Sequence, residues 1–173
     1  MTKEAPVAPA PPAVLRLADF VVGAPNLHSD EALRRSRCAV LDTLGCMLAG
    51  IGEPVAQTAL ATVSPWGNGS ATVVGSCATL PPPWAALVNG AAAKAFDFDD
   101  WDDPGITHTT ATLLSAILAV ADGECDTGNG LLDAHIVGVE VIARIGEAMN
   151  PNHYARGWHA TSTIGAIGAA ARG

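Results

Sequence analysis

The sequence predicts an all-α protein, and three observations support this fold class. Apolar residues recur at helical spacing through most of the 173 residues. Residues typical of helix ends occur at the expected places: Ser29 suits an N-cap, and Asn150-Pro151 suits the end of a helix. Aromatic residues make up only 5% of a chain that is 49% hydrophobic. The core is therefore expected to be aliphatic and rich in Ala and Gly, which lets helices approach one another closely.

Three helices are predicted in the first third of the chain. The first covers 14–22, where Leu15 and Phe20 are among the apolar residues. The second runs from Ser29 to about residue 50, because acidic residues occupy its first turn, where the helix dipole favours anions. Its apolar stripe consists of Leu33, Val40, Leu44 and Met47. The third is a short helix over 54–61.

Residues 64–83 interrupt the helical pattern. Pro and Gly recur throughout this stretch, as is typical of loops. The residues concerned are Pro65, Gly67, Gly69, Gly75, Pro81, Pro82 and Pro83. The run Ala71-Thr72-Val73-Val74 has the composition of a strand. We therefore expect a loop that contains one short strand or extended piece.

The chain then returns to helix four times. The predicted segments are 84–96, 110–121, 129–149 and 159–171. On the third of these, Glu140 and Arg144 form a favourable i,i+4 pair, and the inward residues are predicted to be Leu132, Ile136, Val139 and Ala143. The last segment is apolar nearly all round, so preceding helices or a partner must bury it. Gly165 and Gly168 are interpreted as its helix-contact points.

Composition excludes several functional classes. The net charge of −8 argues against a nucleic-acid surface and against anionic membranes. The apolar run 113–121 is too short to span a bilayer. Residues 1–13 lack the apolar run of a signal peptide and are expected to be a disordered tail, followed by one partial helical domain over 14–173.

The four cysteines are expected to be small apolar core residues in a reducing, cytoplasmic protein. They are Cys38, Cys46, Cys77 and Cys125, and no pair has the CxxC spacing of zinc or redox sites. Three of the tryptophans, Trp66, Trp84 and Trp101, are likewise expected to be packing residues.

The most unusual stretch is the acidic segment, residues 97–108, which has five carboxylates within seven residues and ends in His108. The carboxylates are Asp97, Asp99, Asp100, Asp102 and Asp103. Residues 54–93 before it contain no charged side chain. Five neighbouring like charges repel one another, and carboxylates beside a histidine are typical of proton transfer or metal binding.

Two metal-binding interpretations of the acidic segment are weak. A calcium loop of the EF-hand type that begins at Asp97 would have Trp101 at a ligand position and Asp102 where Gly is required. The run 99–103 matches the DDxxD pattern with which all-α prenyl-transfer enzymes hold magnesium at residues such as Asp99, Asp100 and Asp103. Those enzymes need a second acidic motif, which this sequence lacks.

Two further interpretations of the acidic segment remain open. Asp97 and His108 are brought together by a turn at Asp103-Pro104-Gly105 for acid–base chemistry, or the acidic loop caps the helix that begins near Thr110.

The other histidines are weaker candidates. His159 lies at the start of the last predicted helix, where backbone N–H groups and the dipole attract anions, so it suits a carboxylate ligand or a surface cap. His135 lies within a helix and is expected to be structural or at the surface. His28 is expected at the surface, and His153 is a candidate for the pocket of His159.

Several segments, taken together and in order, resemble the N-terminal part of the MmgE/PrpD family, which includes 2-methylcitrate dehydratases and cis-aconitate decarboxylases. They are Leu41-Asp42-Thr43-Leu44-Gly45-Cys46, Ala71-Thr72-Val73-Val74-Gly75, Leu87-Val88-Asn89-Gly90-Ala91-Ala92, Phe96-Asp97-Phe98-Asp99-Asp100, Thr107-His108 and Gly157-Trp158-His159-Ala160-Thr161-Ser162-Thr163-Ile164-Gly165-Ala166. The resemblance runs from about Val14 to the last residue.

The resemblance implies a helical domain of the MmgE/PrpD type, with the family's smaller lid domain absent from this chain. It implies chemistry on small di- or tricarboxylates without a metal, an iron–sulfur cluster or another cofactor. It assigns Asp97 and His108 to catalysis and His159 to substrate binding. The sequence departs from the family pattern in having Thr109-Thr110 after His108 instead of Pro-Ser, and Trp101 instead of Thr.

We therefore expect a lyase, or half of one, that dehydrates or decarboxylates its substrate by proton transfer at the carbon α to a carboxylate. The alternative is a non-catalytic helical subunit or truncated remnant that associates through its apolar C-terminal helix. The chain covers well under half of a typical family member. A homo-oligomer or a second chain is accordingly expected to complete the site.

Overall fold

The computed structural model describes residues 12–24, 28–124 and 127–172, which fold into a helical assembly with one two-stranded sheet. The elements in chain order are α1 (Ala13–Gly23), α2 (Asp30–Gly50), α3 (Pro54–Val63), a 3₁₀ turn (Ser64–Trp66), β1 (Ala71–Thr72), β2 (Thr79–Leu80), α4 (Pro82–Ala93), α5 (Thr109–Glu124), α6 (Gly128–Met149), α7 (Asn152–Ala155) and α8 (Ala160–Arg172). The predicted all-α class is confirmed.

The helix ends follow local signals in the sequence. The Ser29 side chain accepts a hydrogen bond from the Ala32 N–H at 3.2 Å, so the predicted N-cap of α2 is confirmed. Thr127 caps α6 in the same way through the Gly130 N–H. Most of the predicted tail, residues 1–11, lies outside the described residues.

The loop between α3 and α4 contains a second strand that was not predicted from the sequence. The two antiparallel strands pair Ala71 with Leu80 and Thr72 with Thr79. Asn89, buried on α4, holds this sheet in place by accepting from the Val74 N–H at 2.9 Å and donating to the Thr72 carbonyl at 3.0 Å. A strand of two residues is too short to show any periodicity, which is why composition indicated only its partner.

Helix α5 is the centre of the molecule, because it contributes to three hydrophobic clusters. Ala119 packs under the sheet together with residues of α3 and α4. Leu113 and Ile117 face α6 and α8. Leu114, with Ala111, packs against Met47 of α2 and the end of α4. Most of the side chains involved are aliphatic, as the low aromatic content predicts.

Small residues allow the close helix crossings. A Cβ atom at Gly168 of α8 would lie 2.3 Å from Ile142 of α6, and one at Gly165 would lie 2.9 Å from Thr112 of α5. Both glycines are therefore helix-contact points, as predicted. The buried face of α8, which includes Ile164, packs on α5 and α6, so the preceding helices bury one side of it.

The buried face of α6 differs from the predicted one. Leu132 is buried as expected, but Ile136, Val139 and Ala143 are only half-buried. The fully covered positions include Val137 and Ile142. Because α2, α5 and α8 all pack against α6, its buried arc is wider than a single apolar stripe and is shifted from it.

Several smaller expectations were wrong. His28 is not at the surface, since its Nε2 lies 2.7 Å from Asp133 Oδ1 and its side chain is only 12% exposed. Cys38 and Cys77 are exposed rather than in the core, whereas Cys46 is buried; Cys125 lies outside the described residues. Trp66 and Trp101 are more than half exposed, so neither is a core residue.

Among the described helices, none is by itself both long and apolar enough to cross a membrane; only α2 and the α3 segment pass that test as a pair, with a bend of 81° between them.

Gly50, at the end of α2, is expected to tolerate no side chain. A Cβ there would lie 2.1 Å from the Ala92 carbonyl oxygen, and a backbone atom cannot move aside cheaply. Gly50→Ala should lower the free energy of unfolding by about 1–3 kcal/mol in urea denaturation.

Gly45→Ala is the matched control on the same helix. Gly45 is exposed, and no atom lies within 4 Å of the position that a Cβ would take, so the substitution should raise stability by about 0.5–1 kcal/mol. Equal effects of the two substitutions would contradict the close contact between α2 and α4.

Candidate active site

The acidic segment leaves the C-terminus of α4 and returns to the N-terminus of α5. Asp97 adopts a left-handed backbone conformation with φ of 53°, which Asp tolerates better than most residues. Further on, Asp102 and Thr107 pair as a short antiparallel bridge, with the Asp102 N–H donating to the Thr107 carbonyl at 2.8 Å. The segment therefore turns twice and places its two ends side by side.

Three of the five carboxylates have local structural roles. Asp100 caps α5, because its side chain accepts from the Thr110 N–H and from the Thr109 hydroxyl, both at 3.0 Å. Asp102 accepts from the Gly105 N–H at 2.9 Å within the loop. Asp103 accepts from the Trp101 indole at 3.1 Å. The interpretation of the segment as a helix cap is thus confirmed for Asp100.

Asp100 also ends a buried hydrogen-bonded chain of side chains. The Thr110 hydroxyl bonds both to Asp100 and, at 2.9 Å, to Nε2 of His135, whose Nδ1 lies 2.9 Å from the Ser36 hydroxyl. A carboxylate accepts only, so the single Thr110 proton goes to Asp100. His135 must then donate from Nε2 and accept at Nδ1 from Ser36.

This proton order requires a neutral His135 imidazole. The ring is almost fully buried on α6, and burial lowers the pKa of His135 to about 4, although the negative charge of Asp100 acts in the opposite direction. The expectation of a structural or surface role for His135 is resolved in favour of the structural one.

The remaining two carboxylates face His108 from opposite sides of its ring. Nε2 of His108 lies 3.6 Å from Asp97 Oδ1, and Nδ1 lies 3.3 Å from Asp99 Oδ2. Lys94 connects the same two carboxylates, with a close contact to Asp97 and a distance of 3.3 Å to Asp99 Oδ1. The structure therefore brings together the predicted pair, Asp97 and His108.

These four groups form a gradient from solvent to interior. The exposed fraction of the side chain is 75% for Asp97, 31% for Lys94, 13% for His108 and 0% for Asp99. The Lys94 ammonium, with smaller contributions from His108 and His159, holds the pKa of Asp97 below its usual value. Burial raises the pKa of Asp99, although Lys94 and His108 act in the opposite direction.

Lys94 and Asp99 belong to this site but were not predicted from the sequence as members of it. Lys94 is the first charged residue after the uncharged stretch 54–93, and it precedes Asp97 by one helical turn. That spacing was a usable signal. Asp99 carries no comparable signal, since nothing in the sequence separates it from its acidic neighbours.

Neighbouring elements fix the position of His108. Its backbone N–H donates to the Thr161 hydroxyl of α8 at 3.0 Å, and its ring packs edge-on against Trp101 with centroids 5.0 Å apart. His159 is exposed at the start of α8, where its carbonyl accepts from the Thr163 N–H. His153 lies nearby, with its Nε2 2.8 Å from the Thr163 hydroxyl.

The site also meets the distance requirement for a metal ion. One ligand atom from each of Asp97, Asp99 and His108 lies within 4.8 Å of the others, a group that suits a divalent cation. Here the Lys94 ammonium provides the positive charge between the two carboxylates. The magnesium interpretation through Asp99, Asp100 and Asp103 fits poorly, because Asp100 is committed to the cap of α5.

Comparisons with known proteins agree with the resemblance in the sequence. The sequence pattern described as the MmgE/PrpD N-terminal domain matches residues 15–172. The cis-aconitate decarboxylase of Homo sapiens is 35% identical over 150 residues, which cover 83% of this chain and 31% of that protein. The cis-aconitate decarboxylase of Mus musculus is 33% identical over 153 residues, or 84% of this chain and 31% of that protein.

A relative of lower identity shows similar coverage. The cis-aconitate decarboxylase-like protein oryM of Aspergillus oryzae is 29% identical over 150 residues, which cover 82% of this chain and 31% of that protein. The chain thus spans about a third of the length of the curated relatives it matches.

The buried His135 is expected to make the fold sensitive to mild acid. Its pKa is about 4 in the folded chain and 6.5 when exposed, so the unfolded state binds the extra proton between these values. The free energy of unfolding should therefore fall as pH falls from about 6.5 to 4, by roughly 3 kcal/mol from this group.

Urea denaturation across that pH range checks this expectation against His135→Gln. The variant should be less stable at pH 7, because it loses ring packing, but it should lack this part of the pH dependence. Parallel pH profiles for the two proteins would show that His135 is not the group responsible.

Proposed function

The chain belongs to the MmgE/PrpD family, and from this premise we propose that it supplies the acid–base groups of a lyase acting on small di- or tricarboxylates. The observation that carries the proposal is the placement of His108 between Asp97 and Asp99, at the boundary between solvent and core. Two of the relatives are named cis-aconitate decarboxylases, so a tricarboxylate of that kind is the first substrate to test.

His108 is proposed as the general acid and base. An imidazole changes its charge near neutral pH, which suits both the removal and the delivery of a proton. Asp97 lies at the open side of the ring and orients the imidazole or polarises the substrate. His159 is proposed to bind a substrate carboxylate, supported by its position at the start of α8, where backbone N–H groups attract anions.

The proposed reactions each move one proton at the carbon α to a carboxylate: dehydration removes it and decarboxylation delivers it. In a dehydration, His108 takes that proton, the carbon–carbon double bond forms, and the β hydroxyl leaves as water after it gains a proton. In a decarboxylation, the bond to the carboxylate breaks, CO₂ leaves, and the carbon receives the proton instead. The geometry of the site favours neither dehydration nor decarboxylation, so we propose only the reaction class, a lyase.

The charge balance supports a partner that completes the site. The chain carries a net charge of −8, and Lys94 is already in contact with two carboxylates. A bound di- or tricarboxylate needs further cations nearby. We propose that a second copy or another chain supplies them, in a complex located in the cytoplasm.

An exposed apolar patch supports association near the site. It consists of Leu41, Phe96 and Phe98, which line one shallow groove and whose exposed fractions are 72%, 54% and 80%. The two phenylalanines directly precede and follow Asp97 in the sequence, so a partner that covered them would lie close to the site. Groups of exposed apolar side chains typically mark interaction surfaces.

The alternative function is a non-catalytic helical subunit that associates through α8. The observation that favours it is Ile167, which is 51% exposed and lines a groove that α8 shares with α1 and α6. The buried face of α8 already packs within the chain, so a partner would contact the helix at this groove or at its exposed outer face. This alternative predicts association without any binding of a carboxylic acid.

The catalytic proposal is tested by incubating the purified protein with cis-aconitate, citrate-like acids and simple dicarboxylates in D₂O. Proton NMR should show either conversion or exchange of an α hydrogen for deuterium. Because general acid–base help is worth roughly 10²–10⁴-fold, His108→Gln should lower the rate by about that factor.

Asp103→Asn is the matched control, because it alters the same acidic segment and retains an acceptor for the Trp101 indole. Its rate should equal that of the wild type, whereas Asp97→Asn should be slower. A His108→Gln protein with the full rate, or a wild type that neither converts, exchanges nor binds any of these acids, would contradict the proposal.

The association proposal predicts that Phe98→Ser lowers the average mass measured by sedimentation at tens of micromolar protein, because the patch loses its most exposed ring. Val22→Ser on α1, where the side chain is 86% exposed, should leave the mass unchanged. A wild type that remains monomeric at this concentration would count against association at the patch.

A further inference from the structure

We infer that Asp99 is a positioning residue for His108: its buried carboxylate holds the imidazole as the Nδ1–H tautomer and leaves Nε2 as the atom that exchanges a proton. The catalytic meaning of this arrangement rests on the proposed function. The tautomer itself is a property of the folded chain and is measurable without any substrate.

The contact at Nδ1 sets the tautomer. This nitrogen is buried, forms no regular hydrogen bond within the described residues, and lies 3.3 Å from Asp99 Oδ2. A carboxylate accepts hydrogen bonds but cannot donate them, so the imidazole nitrogen that faces it has to carry the hydrogen. The distance exceeds that of a charge-assisted hydrogen bond, and such catalytic contacts are often long before a ligand binds.

The burial of Asp99 strengthens this preference. Its side chain is 0% exposed and neither of its oxygens forms a regular hydrogen bond in the part of the chain described here. Water therefore does not compete for the carboxylate. The nearest positive charge is the Lys94 ammonium, 3.3 Å from the other oxygen, which compensates the buried charge without reaching the imidazole nitrogen.

The contact at Nε2 is weaker in every respect. Asp97 Oδ1 lies 3.6 Å away, its side chain is 75% exposed, and Lys94 already contacts that oxygen. Solvent screens an exposed charge more than a buried one. Asp97 thus leaves Nε2 without a fixed proton, on the side of the ring that faces solvent.

The surroundings of His108 prevent the ring from exchanging these two contacts freely. Its backbone N–H is held by the Thr161 hydroxyl, and the edge of Trp101 packs against the imidazole. The side chain itself is only 13% exposed. The two nitrogens therefore keep distinct partners, one in the interior and one at the solvent boundary.

Nitrogen NMR of the ¹⁵N-histidine-labelled protein near pH 8 tests the inference, with the His108 signals identified by their loss in His108→Gln. The wild type should show His108 predominantly as Nδ1–H. Asp99→Asn should reverse the tautomer ratio toward Nε2–H, because the new amide N–H donates to Nδ1. Asp97→Asn, the same substitution at the other nitrogen, should leave Nδ1–H predominant.

A wild type with His108 mainly as Nε2–H would overturn the inference, since it would mean that Asp99 carries a proton or does not act on Nδ1. Identical tautomer ratios in wild type and Asp99→Asn would overturn it as well. The wild-type spectrum decides even if Asp99→Asn fails to fold. An Nδ1–H tautomer in a protein that acts on no acid would leave the inference intact and contradict only the proposed function.

Discussion

The position of the candidate site depends on the buried chain of hydrogen bonds that runs from Asp100 through Thr110 and His135 to Ser36. It joins the acidic segment to three helices inside a core that is mostly aliphatic. A buried polar group that loses its partner costs about 1–3 kcal/mol, so each member holds the others in place. Asp100 is fixed in this way next to Asp99, whose side chain is buried, whereas the side chain of Asp97 is exposed.

A close contact between helix α6 and the loop of the acidic segment supplies the other constraint. Gly146 of α6 lies directly against the loop, since a Cβ there would be 2.7 Å from the Gly105 Cα, and the Asn150 side chain donates to the Gly105 carbonyl. The loop therefore rests on a helix that also carries His135. The buried hydrogen-bonded chain and the glycine contact hold the acidic segment from two sides. Together they determine the position of His108.

Most of the fold follows from local signals, and the site follows from them only in part. Caps such as Ser29 and the apolar periodicity predict the positions of the long helices. A strand of two residues such as β2 is too short to produce a recognisable pattern in the sequence. The resemblance and the charge pattern indicate Asp97 and His108, and the structure brings them together. Asp99 differs from its acidic neighbours only in burial, and His28 was misplaced because its partner Asp133 lies 105 residues away.

The short bridge between Asp102 and Thr107 has a consequence for how such a site can diverge. The Asp100 side chain accepts hydrogen bonds from Thr109 and Thr110, which directly follow His108. These bonds join the two ends of the loop, residues 101–108, at its base. Asp103 and Pro104 are exposed at the tip of the loop, so they can be exchanged while this base stays as it is, whereas Gly105 is held against α6. Variation at these two positions would thus alter the outer surface of the loop and leave the contacts of His108 with Asp97 and Asp99 in place.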